Sequence, residues 1–229
     1  LDLTNGNLNI TRDPEGFINS ITAKAENLSY KGAKGDSITV KDLDIAITSG
    51  KNGLEKAVLN AGKIDYISNK GDKLNINNGT ATLERDAEGF ISKATATADN
   101  FTYNPINGDT IKGSGIDISI TGDKNGLNQA SVKVGSLDYL SKKGDKLNLI
   151  NGSLNITKDP EGFISNLNGK ASNLTYNGVN GDKAYVQGLE ININGNVNGI
   201  TDANVKAGEL LYTSKNNETV HVLNGSATI

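Results

Sequence analysis

The 229-residue sequence has no cysteine, no methionine and no tryptophan, a single histidine and three prolines. Without cysteine there is neither a disulfide nor a thiolate metal site. With His221 as the one imidazole, neither a hydrolytic triad nor a histidine-rich metal site can be assembled. No apolar run approaches the roughly 20 residues of a membrane-spanning helix. No apolar stripe of helical period appears, which leaves helix negligible. Hydrophobic residues make up 35% and aromatics 5%, too few for one round core and better suited to a thin, extended body. The 23 basic and 26 acidic residues are mixed along the chain, so no basic stripe offers a nucleic-acid partner an electrostatic footprint. The opening LDLTNGNLNI lacks the basic start and apolar stretch of a signal peptide. With no initiating Met, the expectation is an excised or matured piece of a longer protein.

What the sequence does have is repetition, the first feature to seek. NGNLNITRDPEGF at Asn5 recurs as NGTATLERDAEGF at Asn78 and NGSLNITKDPEGF at Asn151, and NGSATI at Asn224 opens a fourth copy. The units span 5–77, 78–150 and 151–223, a period of 73 residues in one array over 1–229 with no linker. Each unit divides in two, since GFINSITAKAENLSY (16–30) matches GLEKAVLNAGKIDY (53–66). Tyr30, Tyr66, Tyr103, Tyr139, Tyr176 and Tyr212 mark half-units of 36 or 37 residues.

Inside a half-unit, apolar and polar residues alternate, the period of a half-buried strand. The apolar set Ile21, Ala23, Ala25, Leu28, Tyr30 slips phase once, between Ala25 and Leu28. The next segment, Ile38, Val40, Leu43, Ile45, Ile47, slips between Val40 and Leu43. A phase slip in mid-strand is the mark of a bulge or sharp bend. Paired antiparallel through the KGAKGD turn, the two slips fall opposite each other and the register closes. Gly-Asp at one end and glycines such as Gly16, Gly53 and Gly89 at the other supply the reversals. The prediction is an all-β, elongated antiparallel meander of about twelve strands, each folded over in the middle. Its apolar rows then lie between two facing sheets in a trough or flattened tube roughly 55–60 Å long. A parallel β-helix solenoid, with one coil per half-unit, is the alternative.

AENLSY, TADNFTY, KASNLTY and NAGKIDY, each followed by a Gly-Asp turn and an apolar strand, resemble the repeats of the OstA/LptA family. These are periplasmic lipopolysaccharide-transport proteins, and LptC and the soluble part of LptD share a related layout. The resemblance implies a β-jellyroll (β-taco) of folded-over antiparallel strands, open along one side. It also implies acyl chains in the apolar interior and end-to-end stacking through exposed edge strands to bridge two membranes. The family uses a lining rather than a signature, so the candidate site is a row of inward residues. In the first half-units these are Ala23, Ala25, Leu28, Tyr30, Ile38, Val40, Leu43, Ile45, Ala61, Ile64 and Tyr66. In the later ones they are Ala96, Ala98, Phe101, Tyr103, Val134, Leu137, Tyr139, Ala171, Leu174, Tyr176, Ala207, Leu210 and Tyr212. The small residues near the bend, opposite Gly79, Gly152 and Gly225, either leave room for acyl chains or let two sheets approach at a crease.

No catalytic, metal or cofactor site is expected. His221, between the inward Val220 and Val222, is expected on the solvent face. Asp13/Glu15 and Asp159/Glu161 read as turn residues, and their spacing matches no EF-hand loop. The Asn-x-Ser/Thr triplets at Asn27, Asn100 and Asn173 read as polar outward strand positions. The expected function is lipid binding or transport in the periplasm or at a bacterial cell surface, not in the cytoplasm. Its partners would be lipid or lipopolysaccharide acyl chains and neighbouring repeats or copies through edge strands, with no nucleic acid. A structural repeat of a surface adhesin, extracellular fibre or filament is the alternative.

Overall fold

The computed structural model describes all 229 residues, as fourteen strands without a helix. They are β1 (Asp2–Thr4), β2 (Asn7–Arg12), β3 (Ile18–Lys31), β4 (Ser37–Gly50), β5 (Gly53–Ile67), β6 (Lys73–Arg85) and β7 (Ile91–Asn104), then β8 (Thr110–Asp123), β9 (Gly126–Leu140), β10 (Lys146–Lys158), β11 (Ile164–Asn177), β12 (Lys183–Asn196), β13 (Gly199–Thr213) and β14 (Thr219–Thr228). From β3 onward each strand pairs antiparallel with the next, and β1 and β2 both pair β3 as two halves of one bent strand. The result is one continuous sheet, not closed into a barrel. The meander is therefore the plan, and the parallel β-helix is excluded because every pairing is antiparallel between successive strands. The two facing sheets of the sequence-based expectation are corrected to two arms of a single bent sheet.

Pairing follows the apolar pattern. Leu28 faces Val40 and Tyr30 faces Ile38; Ala25, Ala23 and Ile21 face Leu43, Ile45 and Ile47. The bend between these sets has a backbone cause. Every second strand places one residue in the left-handed region at mid-strand: Asn5, Asp42, Asn78, Gly115, Asn151, Gly188 and Asn224, with φ between 49° and 62°. Only Gly, Asn and Asp enter that region readily, and those are the residues present. Pairing is in register on both sides of each bend, as Asn27↔Lys41 and Ala25↔Leu43 bracket Asp42. The strands therefore crease without losing alignment. Side-chain amides hold the crease to the following strand. Asn5 donates to Glu26, Asn78 Nδ2 to Asp99 Oδ2 at 2.7 Å, and Asn151 Nδ2 to Ser172 Oγ at 3.4 Å.

At one end of the sheet the turns always take five residues, 32–36 for the first; at the other, five-residue turns (13–17, 86–90, 159–163) alternate with two-residue turns (51–52, 124–125, 197–198). That alternation makes the true period 73 rather than half of it. At the uniform end each Gly-Asp carboxylate reaches the following turn at that end. Asp36 accepts the Asn69 N–H at 2.7 Å, Asp72 that of Ile106 at 2.9 Å and Asp109 that of Lys142 at 2.8 Å. Asp145 accepts the Val179 N–H at 2.9 Å and Asp182 that of Lys215 at 2.8 Å.

These N–H donors hold the carboxyls of Asp72, Asp109, Asp145 and Asp182 below the ordinary range. A carboxyl with a lowered folded-state pKa stabilises above its unfolded value, about 3.9, and that contribution disappears as pH falls through the folded value. Between pH 5 and pH 2.5, amide hydrogen exchange at Ile106, Lys142, Val179 and Lys215, corrected for intrinsic rates, is expected to lose protection before mid-strand amides do. Simultaneous loss at turns and strands would show that the carboxylates do not hold the turns.

Only eight of the 229 residues are buried, and none is a buried polar residue. The accessible surface is 14029 Å², whereas a globular chain of 24.0 kDa exposes about 10,000 Å². The excess is the inner face of the sheet, which no second layer covers. Of the five buried hydrophobic side chains, Ala25, Val40, Leu43 and Ala61 form one cluster about the crease, with Leu28, Ile38, Ile45, Leu59 and Ile64 against them; Ala171 is the fifth.

Candidate functional site

Cross-strand register places the apolar residues in five rows along the sheet axis. In β7 the rows are represented by Ala94, Ala96, Ala98, Phe101 and Tyr103. All 24 lining residues named from sequence fall on this face. The crease row runs through Ala25, Leu43, Ala61, Gly79 and Ala98. Of the three glycines read as facing small residues, Gly79 lies between Ala61 and Ala98 and Gly225 faces Ala207. Gly152 pairs Val134 on one side and lies opposite Ala171 in the β10–β11 register on the other.

A side chain three residues earlier leans over the crease at both glycines, and at Gly152 it leaves no room for a Cβ, which would also stand 2.9 Å from Val134 Cγ1. A Cβ on Gly79 would stand 3.5 Å from Ile76 Cγ2, and one on Gly152 would stand 2.4 Å from Leu149 Cδ2. Thus the arm carrying the tyrosines folds toward the other arm on the apolar side. Where the crease crosses β5–β8 it holds an open trough of 340 Å³. One arm contributes Ile64, Leu74, Ile76 and Phe101, the other Leu59, Ala81, Ala96 and Ile118, with Gly79, Ala98 and Ile116 along the crease. The lining carries no charged side chain. The small residues Gly79, Ala81, Ala96 and Ala98 lie on the lining of this volume.

The tyrosine row forms one rim, alternating with Ile38, Leu74, Ile111, Leu147, Ala184 and Val220. Tyr139 donates from its hydroxyl to Asp109 Oδ2 at 3.1 Å, and Tyr176 to Asp145 Oδ1 at 3.5 Å. Partial burial, then the neighbouring carboxylate, raises the pKa of Tyr139, Tyr176 and Tyr212. Each ring therefore packs on the apolar side while its hydroxyl joins the turn carboxylate. Sequence reading took Gly-Asp as the reversal alone. Its partners lie 30–34 residues away, and only the 36–37-residue tyrosine schedule hinted at the link.

The opposite face is polar. Ion pairs Lys24–Asp44, Lys56–Glu84 and Lys170–Glu190 run across its strands, and Asn27, Asn100 and Asn173 occupy its register positions. His221 lies on it too, with Nε2 2.8 Å from Glu209 Oε1. Asp13 and Asp159 accept the Phe17 and Phe163 N–H groups inside their own turns, at 2.9 and 2.8 Å.

No protein-family model and no curated protein matches the chain. Among solved structures, the TCP10 domain of Danio rerio CPAP in complex with a peptide of Danio rerio STIL aligns over 85% of this chain and 97% of that one. It does so at 8% identity with a TM-score of 0.11, a likeness too slight to carry any inference.

Proposed function

We propose that this chain is a non-enzymatic lipid-binding module acting outside the cytoplasm, with acyl chains held in the apolar trough as part of a lipid-transport bridge. The observation that carries this reading is the trough itself. Five apolar rows cross the strands with no layer above them, and the crease leaves volume lined by carbon. An apolar surface larger than a few hundred Å² marks an interaction site on a soluble chain. The resemblance of the tyrosine segments to OstA/LptA repeats supports the same reading.

A second reading, a structural repeat of a surface adhesin or fibre, is favoured by the strict 73-residue period and the carboxylate links between turns. A photo-cross-linking residue at Ala98, on the crease of β7, separates the two readings. In cells, the lipid reading expects a lipid adduct at Ala98 and none at the outward Thr95. Adducts with protein alone would favour the fibre, and absence of lipid at Ala98 would sink the bridge.

A further inference from the structure

The in-register positions of the trough face are apolar, Gly or Ser on every strand, with three exceptions: Arg12, Arg85 and Lys158. Each ends its strand one residue before a turn, and each faces an aliphatic residue across the register shift, Ile18, Ile91 and Ile164. Inner residues Ile10, Leu83 and Ile156 precede them by two, so all three project from the apolar side at the rim opposite the tyrosines. They recur once per 73-residue unit, which sets them about 19 Å apart along the axis, four strand spacings.

None has a carboxylate partner within ion-pair distance, since all five ion pairs lie elsewhere. The nearest acids in sequence are already engaged. Asp13, Asp86 and Asp159 cap their own turns through the N–H groups of Phe17, Phe90 and Phe163, and Glu84 pairs Lys56 on the outer face. Arg12 Nη1 donates to the Gly16 carbonyl at 2.7 Å, leaving its other N–H groups free. A solvated charge has no need of the apolar side of a sheet. Lys158 shares a surface hollow with Asp123 and Asp159, but Asp123 is engaged by the Asn125 N–H and Asn128 Nδ2. The three cations, none of them ion-paired, complement an anion that arrives with an apolar tail.

We infer that the trough takes anionic amphiphiles, with the tail toward the crease and the head group at Arg12, Arg85 or Lys158, one site per unit. The crease at Gly79 lies about 20 Å from Arg85 along β6, a span suited to a long acyl chain. This inference rests on the lipid-binding reading and adds head-group charge and polarity to it.

The test compares a long-chain fatty acid with the alcohol of equal length, each below its micelle concentration, by calorimetric titration at pH 8. The fatty acid is expected to bind about fivefold more tightly at low salt, the most that an exposed ion pair supports. That preference should vanish at 1 M salt and in the triple variant Arg12→Gln/Arg85→Gln/Lys158→Gln. The alcohol's affinity should be unchanged by the substitutions, and Arg85→Lys alone should keep the preference. Equal affinities in the wild type, or a preference that survives the triple variant, would overturn the head-group assignment and leave the trough reading intact. If neither amphiphile binds, the trough reading fails and this inference with it. Unchanged circular dichroism shows that the variant is folded.

Discussion

Gly113→Val is expected to destabilise the middle of the sheet by about 1–3 kcal/mol, the cost of overpacking a filled site. A Cβ on Gly113 would stand 2.2 Å from Phe101 Cε1 and 2.9 Å from Cδ1. An aromatic ring is a rigid plane and cannot yield as the end of a long aliphatic chain does. The ring occupies this space because the two strands divide one volume. Phe101 faces Gly113 across β7–β8, where Leu28 faces Val40 and Leu174 faces Val186 in the other units. One pair is large with none, the others medium with medium. Phe101→Leu should therefore rescue Gly113→Val by recreating the Leu–Val pair of the sister units, and alone it should open a small cavity. Apart from β1, which pairs β3, each strand contacts only its sequence neighbours, and stability in such arrays is a sum of local and nearest-neighbour terms. The loss should appear as faster hydrogen exchange in β7 and β8, with β11 and β12 nearly unaffected. A double variant no more stable than Gly113→Val would mean that the two positions are not packing partners.

Much of this architecture is readable from residue order because the repeat tests each inference several times. The three-residue step from Ala25 to Leu28 located the crease, and its match between Val40 and Leu43 gave the register that the hydrogen-bonded ladder follows. What stayed hidden has physical reasons. The bend is made by left-handed residues that alternate between Asn and either Asp or Gly, so no single letter marks it. Asn5, Asn78 and Asn151 stood out only as the starts of the repeats. Alternation from Ile10, Leu83 and Ile156 reaches the trough-side cations, but their partners across the strand are hidden by a second phase change. Register shifts at the ends of β2, β6 and β10 bring Ile18, Ile91 and Ile164 rather than their neighbours opposite Arg12, Arg85 and Lys158. Simple alternation counted back from Ile21 misses that step. How far the arms open is likewise a sum of many small backbone angles, which no local pattern of letters records. Sequence left a trough and a flattened tube both open, and Tyr30, 49% exposed on the apolar face, fits the trough.

Openness sets the expectation for Ala98→Glu, the substitution with the largest effect on binding. Ala98 pairs Gly79 on one side and Ile116 on the other, on the crease where the trough is lined by carbon. A carboxylate there has no cation within its row, and its solvation excludes acyl methylenes from the trough floor. Displacing about four methylenes at about 0.8 kcal/mol each costs about 3 kcal/mol, or roughly 150-fold in affinity. The sheet itself should survive, because the trough is open and the new side chain can turn toward water. Thr95→Glu, on the same strand but at an outward position opposite Thr82 and Ser119, adds the same charge without entering the trough. It should bind lipid as the wild type does. The pair of variants separates a local effect of the trough from a general effect of net charge. Should Ala98→Glu bind with wild-type affinity while folded, acyl chains do not occupy the crease, and the uncovered apolar face belongs to another sheet rather than to a lipid.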